Sequence, residues 1–456
     1  MLDKRGGGPT ASPLTAIIKM EFGFLRRQKV KLIKALSIIF LLAGCTGALF
    51  AGGQSEKASA SKQITLSFYT QFSTTGRAKG WPEAIALYEA QHPNVKIKLN
   101  AGSGSGFASL IQTAMLSGDP PNMLVVSRPQ FETFIHGGLL YNLTKAYKKL
   151  GWDKRFYPLA LLYSQDSQHP GQYYGLSTEV FSMEWFYNTS IFQKLGLSEP
   201  TDFNTLANEA AKLRAASYIP VLLGAKEKYG LSVYLGMVAP QTAGSKLFQE
   251  AAKDPSLWTS EPFLKTMQIL QAMEQRKIIS AKETLGVGRN SAEAAFLNGQ
   301  VGIYPEGTYT IPDFNAGAPQ GFQYNVFAKP ILFTSHPKAP WSGGGGQLMS
   351  VSAQTPNKQA SVEFLNFFTS LPVVSKLAST AGGFYPEIGA NTTLTSDMWK
   401  RIEAHMKEMN SNSALWIDMI PQADSNALLP LMQELIGNRI TPQQLLQQMA
   451  QVKSGK

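Results

Sequence analysis

A single cysteine, Cys45, stands in 456 residues. The chain can form no internal disulfide, and it has no cysteine set for a metal. Should Cys45 be acylated, the folded part carries no thiol at all, which excludes thiol catalysis. Histidine is scarce as well. His92, His136, His169, His336 and His405 lie far apart with no HxH or HxxxH spacing, which argues against a metal hydrolase. No Gly-x-Ser-x-Gly elbow is present. Beyond residue 44 no apolar run is long enough to cross a bilayer. No cofactor and no metal is expected from these patterns.

Acidic residues are outnumbered, 31 against 42 Lys and Arg, giving a net charge of +11. Residues 1–44 hold eight basic and two acidic residues, so +6 belongs to them and +5 to the remainder. No downstream Lys/Arg cluster is interleaved with aromatics, so nucleic acid is not an expected partner.

What is present begins with Arg26, Arg27, Lys29, Lys31 and Lys34, followed by the uncharged run ALSIIFLLAG. A basic segment before an apolar stretch too short to span a membrane reads as an export signal. It ends in Leu42-Ala43-Gly44-Cys45, which resembles the bacterial lipobox, so residues 1–45 are expected to be a signal peptide with Cys45 as the lipidation site. Cleavage after Ala51 without acylation is the alternative. Residues 1–19 look like an upstream extension, with Met20 as the start. Residues 46–62, rich in Gly, Ser, Ala and Lys, read as a flexible tether. The expected location is extracytoplasmic, held on a membrane by the N-terminal anchor.

From Gln63 to Val452 strand and helix patterns alternate. Ile64–Phe68 and Val95–Leu99 alternate apolar and polar residues, and Trp81–Tyr88 between them has helical spacing with Pro82 in its first turn. Phe107–Leu116 reads as a helix and Asn122–Ser127 as a buried strand. Thr201, Thr355 and Thr441 are each expected to cap a helix, the last two before a proline. Strands separated by helices imply parallel-rich sheets covered on both faces.

A series of segments in order resembles the extracellular solute-binding proteins of the maltose- and glycerol-phosphate-binder type. They include Pro120–Ser127, Gly137–Thr144, Tyr174–Glu179, Phe186–Leu197 (similar to the family's YNKDLFEKAGL stretch), Phe296–Ile303 with Glu306–Tyr309, Ser342–Gly346, Glu363–Phe368 and Gly382–Pro386. The resemblance implies an α/β, two-lobed periplasmic binding protein fold of type II, each lobe a mixed, mainly parallel sheet flanked by helices. It implies an N-terminal lobe of 63–178 plus 305–352 and a C-terminal lobe of 179–304 plus 353–452. The chain would cross between them near Tyr174–Phe181, Ile303–Thr310 and Ser352–Thr355. A small ligand, a sugar, would be held in the cleft and passed to the permease subunits of an ATP-driven importer, by a chain that is a monomer and not an enzyme.

A sugar site needs donors and acceptors for hydroxyls and aromatic faces for C–H surfaces. The segments that supply them are Thr178 and Glu179 in the first crossover, Glu306, Thr308 and Tyr309 in the second, Trp341 with Ser342 and Gly343, and Phe384 with Tyr385. Loops after strands add Ser73, Thr74, Arg128 and Gln130. Tyr309, Trp341 and Phe384 read equally as lobe core, and Glu306 as a turn residue. Gly343–Gly346 lacks the Gly-Lys-Ser/Thr of a phosphate loop, so close backbone packing or a hinge is the expectation. Arg77 and Arg128 read as surface charges, with pairing to an anionic ligand as the alternative. Two positions depart from the family: Tyr309 stands where many members have Trp, and loop 70–76 has no acidic residue. The rival reading is a surface glycosidase using Glu179 and Glu306. Other solutes, namely sugar phosphates, polyols or peptides, are further alternatives, as is a sensory rather than importing role.

Overall fold

The computed structural model describes residues 63–102, 105–329, 331–333, 341–409, 413 and 422–452. The readings of the export signal, Cys45 and the tether lie outside the described residues. Among the described residues no helix is long and apolar enough to cross a membrane.

The alternation ITLSFYT builds β1 (Ile64–Thr70), with Leu66 and Phe68 fully buried. It lies between β2 (Val95–Ala101) and β3 (Met123–Val126), parallel to both. β3 is buried at all four positions because helices cover both its faces. On one face Phe68 stacks on Trp81 at 5.5 Å and meets Phe364 and Phe368 edge-on at 5.9 and 6.1 Å. On the other, Leu124 and Val126 pack with Ile111, Met115, Phe131 and Phe134. β10 (Leu348–Val351) and β4 (Gly175–Ser177) complete the order β2-β1-β3-β10-β4.

The second sheet centres on β5 (Val180–Asn188) and β7 (Val301–Gly307), buried at every position. Its order is β6 (Ile219–Val221), β7, β5, β8 (Tyr324–Val326), and β9 (Gly343–Gly345) pairs with the start of β5. Helix Phe203–Ala215 packs Leu206, Ala210 and Leu213 into the core of one face. The other face carries Phe186, Phe296, Tyr304 and Phe314, with Phe186 to Phe314 at 5.3 Å.

Several expectations change here. Both sheets are mixed, as expected, but neither is mainly parallel, since β10 is antiparallel to β3 and β4, and β5 is antiparallel to β7, β8 and β9. The strands that return late in the chain enter against the earlier ones, which reverses their sense. Segment 305–307 and strands β8 and β9 pair in the second sheet, whereas helix Lys358–Phe368 packs on the first through Phe364 and Phe368. Ile303–Thr310 is therefore no crossover. Helix Phe203–Ala215 is capped by Asp202, in a capping box with Thr205, and not by Thr201. Thr355 Oγ1 instead accepts the N–H of Asn357, which precedes helix Lys358–Phe368. Thr441 does cap helix Pro442–Met449, with Gln444 closing a capping box.

Thr178-Glu179 joins β4 to β5, and Gly346-Gln347 joins β9 to β10. These two crossovers bond to one another: Thr178 N–H donates to Gln347 O at 2.9 Å and Gly346 N–H to Glu179 O at 2.7 Å. The second thus lies at 346–347, ahead of Ser352–Thr355. A third connection leads from helix Leu371–Ala381 to helix Asp397–Glu408, and Val180 N–H donates to its Phe384 O at 3.0 Å.

Candidate interlobe binding site

At the end of β1, Thr70 Oγ1 accepts the N–H of Phe72 at 3.1 Å and starts a tight loop. Ala78 N–H donates back to Ser73 O at 2.9 Å, and Gly80, at φ 88°, turns the chain into helix Trp81–Gln91. The loop sends Arg77 across to the second sheet. Its guanidinium lies 4.0 Å above the Phe72 ring, 5.2 Å from the Tyr309 ring, and forms an ion pair with Glu179 in the first crossover. Gly76 sits against Asp313, where a Cβ would come within 2.0 Å of Oδ1. One loop of the first lobe thereby touches the hinge and the second lobe together.

Glu179 is 8 % exposed. Burial pushes its carboxyl pKa up, and the Arg77 guanidinium offsets part of that rise. Burial also raises Asp313, against the pull of Arg77 and Arg289. Behind Tyr309 stands Glu306, 1 % exposed. Its Oε1 accepts from Tyr309 Oη at 2.6 Å, Tyr229 Oη at 2.9 Å and Gly307 N–H at 2.9 Å. Its Oε2 accepts from Arg289 Nε at 3.1 Å and Tyr304 Oη at 3.4 Å. Five donors surround this carboxylate, so it fixes the ring of Tyr309 and has little capacity left for anything else.

Three buried polar atoms at or beside the crossovers have no hydrogen-bond partner, namely Arg77 Nε, Thr178 Oγ1 and Gln347 Oε1, and Ser342 Oγ at the far end of β9 is a fourth. Unsatisfied groups at such density are unusual in a protein interior. They give the hinge region both a donor and acceptors for a polar molecule.

The structure brings Thr178, Glu179, Glu306 and Tyr309 into this region. Tyr385 joins them: burial raises its phenol pKa, and the charge of nearby Glu179 adds to the rise. Thr308 Oγ1 is taken by the N–H of Ser182 at 3.2 Å. Phe384 packs with Tyr157 and Trp399 at 5.8 and 6.2 Å. Trp341 stacks on His405 at 3.6 Å, Ser342 O accepts from Met183 N–H, and Gly343 pairs with Ser182. Ser73 and Thr74 lie on the outer part of loop 71–80, with Ser73 Oγ bonded to Thr75 Oγ1 at 2.7 Å. Arg128 is 6 % exposed and donates to Tyr163 O and to Gln165 O, the latter at 2.7 Å, and Gln130 Oε1 accepts from Ser127 Oγ at 3.1 Å. Neither Arg77 nor Arg128 is a surface charge, because each guanidinium is enclosed by carboxylates, carbonyls and aromatic rings. Sequence reasoning passes over Tyr229, Arg289 and Asp313. The signal for them is Glu306 amid the otherwise apolar β7, a buried carboxylate that has to be matched by partners from neighbouring helices.

Two mixed α/β lobes joined by hydrogen-bonded crossovers, with polar and aromatic groups gathered beside those crossovers, define the fold of a solute-binding protein. The bacterial extracellular solute-binding protein family matches residues 72–372, and the chain belongs to it. The family is extracellular, so the folded body works outside the cytoplasm. The chain is 22% identical over 357 residues to a multiple sugar-binding protein of Streptococcus mutans, covering 75% of this chain and 80% of that one. It is 25% identical over 395 residues to an arabinooligosaccharide-binding protein of Bacillus subtilis, covering 83% and 84%. A solved chitin oligosaccharide binding protein superposes with a TM-score of 0.73 at 20% identity, covering 86% of this chain and 98% of that one.

Proposed function

We propose that this chain is the substrate-binding component of an importer driven by ATP, and that it captures a sugar or oligosaccharide between its lobes. The observation that carries the reading is the meeting of Arg77, Glu179 and Tyr309 at the first crossover, beside buried donors and acceptors without protein partners. A sugar supplies hydroxyls for the guanidinium, the carboxylate and Thr178, and a C–H face for Tyr309. Arabinooligosaccharide and multiple-sugar binding by the relatives above point to the same ligand class. Ligand contacts come from Arg77, Thr178, Glu179, Tyr309 and Tyr385, with Glu306 holding Tyr309 in place. The loaded, closed form is what the permease subunits accept. Cys45 carries the lipid anchor, and the protein acts as a monomer; intact-mass measurement of membrane-extracted protein reads the acylation directly.

Binding is favoured over hydrolysis. A glycosidase needs two carboxyls free to act on the scissile bond, whereas Glu306 is surrounded by five donors and Glu179 is bound to Arg77. The test is a thermal-shift screen over monosaccharides, oligosaccharides, sugar phosphates, polyols and peptides, with chromatography of each hit after incubation. A saturable shift with an oligosaccharide recovered intact is expected. Cleavage of the hit, or shifts confined to peptides or anions, would sink the reading.

A further inference from the structure

We infer that Glu132, His136 and Asp166 form a site for a divalent metal of the zinc type, which fastens helix Arg128–His136 to the loop after Tyr163. One ligand atom from each residue lies within 4.8 Å of the others, and among the described residues this is the one such group. Glu132 and His136 are a helical turn apart and share a face. His136 Nε2 is 3.7 Å from Glu132 Oε2 and 3.5 Å from Asp166 Oδ1. Both separations are long for hydrogen bonds. They approach the edge of about 3.3–3.4 Å in a tetrahedron whose corners lie ~2.0–2.1 Å from a central zinc ion.

An independent observation is the state of the carboxylates. Glu132 Oε2 is buried and has no hydrogen-bond partner. Its companion Oε1 is held by the Arg128 guanidinium and by Ser167 N–H at 3.2 Å. Asp166 is 3 % exposed; its Oδ2 is held by His169 Nδ1 at 2.7 Å and its Oδ1 by Gln168 N–H at 2.8 Å. Outer donors that orient a carboxylate while one oxygen points at an imidazole are the usual surroundings of metal ligands. Two carboxylates against one arginine leave a net negative site. His136 and His169 side chains are 39% and 61% exposed, so the solvent side stays open for entry and for a water as fourth ligand, with His169 holding Asp166 from outside. The mixed imidazole and carboxylate set suits zinc and disfavours magnesium and calcium, which take oxygen. Spacing among the five histidines gives no hint of it, because the ligands come from Glu and His on one turn and an Asp on a later loop.

The experiment is calorimetric titration of Zn²⁺ into the untagged full chain after chelator treatment, with Co²⁺ absorption as a second probe. One equivalent of Zn²⁺, tetrahedral Co²⁺ bands and a raised thermal midpoint are expected, with no response to Mg²⁺ at the same concentration. His136→Ala removes a partly exposed ring and should weaken Zn²⁺ at least tenfold; Glu132→Gln should do the same, and His169→Ala should cost several-fold. Absence of stoichiometric binding overturns the site. So does unchanged Zn²⁺ affinity in folded His136→Ala, which would place the metal elsewhere, for instance at Cys45.

Discussion

Glu184 of β5 and Glu306 of β7 are register partners across the antiparallel ladder, and they are 0 % and 1 % exposed. Like charges directly opposite destabilise a sheet, so each carboxylate has its own cation. His405 Nδ1 lies 3.1 and 3.0 Å from the two oxygens of Glu184, and Arg289 Nε lies 3.1 Å from Glu306 Oε2. Helices outside the sheet thus supply its charge balance, and the two pairs have different consequences.

Arg289→Met leaves Glu306 buried without a cation. Removing one partner of a buried pair costs about 3 kcal/mol or more. Urea unfolding at neutral pH should show a loss of that size, together with weaker ligand binding because Tyr309 is held through Glu306. A loss below about 1 kcal/mol would match an exposed pair and contradict the account.

Glu179→Ala should weaken the sugar found by the screen tenfold or more, from the ~1.5–3 kcal/mol of a charged hydrogen bond. Arg77→Ala should weaken it by a similar factor. Because the two side chains form one ion pair, the double variant should lose less than the sum of the two, as read by calorimetry. Additive losses would mean the pair does not act as a unit.

Much of this region is legible from the chain. Alternation in Ile64–Phe68 and Val95–Leu99 gives β1 and β2, and the first crossover shows in the Thr178-Glu179 break between apolar runs. What escapes are pairings set by distant segments. The family resemblance implies a crossover at Ile303–Thr310, yet β7 is a central strand whose carboxylate is satisfied by Tyr229 and Arg289 from two helices. Arg77 resembles a surface charge because its enclosure comes from Phe72 and from Glu179 and Tyr309 of later segments.

His405 gives a pH dependence. Its Nδ1 faces Glu184, and its Nε2 lies 3.3 Å from Ala328 O, so both ring nitrogens meet acceptors that only the imidazolium serves fully. Burial pulls the pKa down, but the charge and hydrogen bond of Glu184 outweigh it, and the net shift is upward from 6.5. A raised folded pKa contributes stability that is complete below the unfolded value and fades as pH rises through the folded one. Stability should therefore fall above pH 6.5, and His405→Gln should flatten that limb. Parallel curves for the two proteins would refute the assignment.

Glu293 acts in a lower window. Burial pushes its pKa from 4.5 up to about 7, Arg289 opposes the rise, and Asp313 and Glu306 add to it. The sign is again that of a raised folded pKa: its contribution is intact below 4.5 and lost as pH climbs through about 7. Glu293→Gln should match the parent near pH 4.5 and exceed it at pH 8 by about 3 kcal/mol. Urea midpoints across that range decide it, and a variant less stable at pH 8 would contradict it.

The glycine run Gly343–Gly346 is explained by space, since β9 and its crossover lie against other backbone and buried side chains. A Cβ on Gly343 would stand 2.1 Å from Phe181 O, a backbone atom fixed by the β5–β9 ladder. On Gly346 it would stand 2.4 Å from Cγ of Glu179, a side chain that can move. The two positions should therefore separate fold from function. Gly343→Ala should lower stability by about 1–3 kcal/mol, as overpacking does, whereas Gly346→Ala should keep most stability and lose affinity by displacing Glu179 from Arg77. Thermal midpoints and calorimetric affinities measured on both variants test this, and the opposite pattern would mean that the ladder yields more easily than the ion pair.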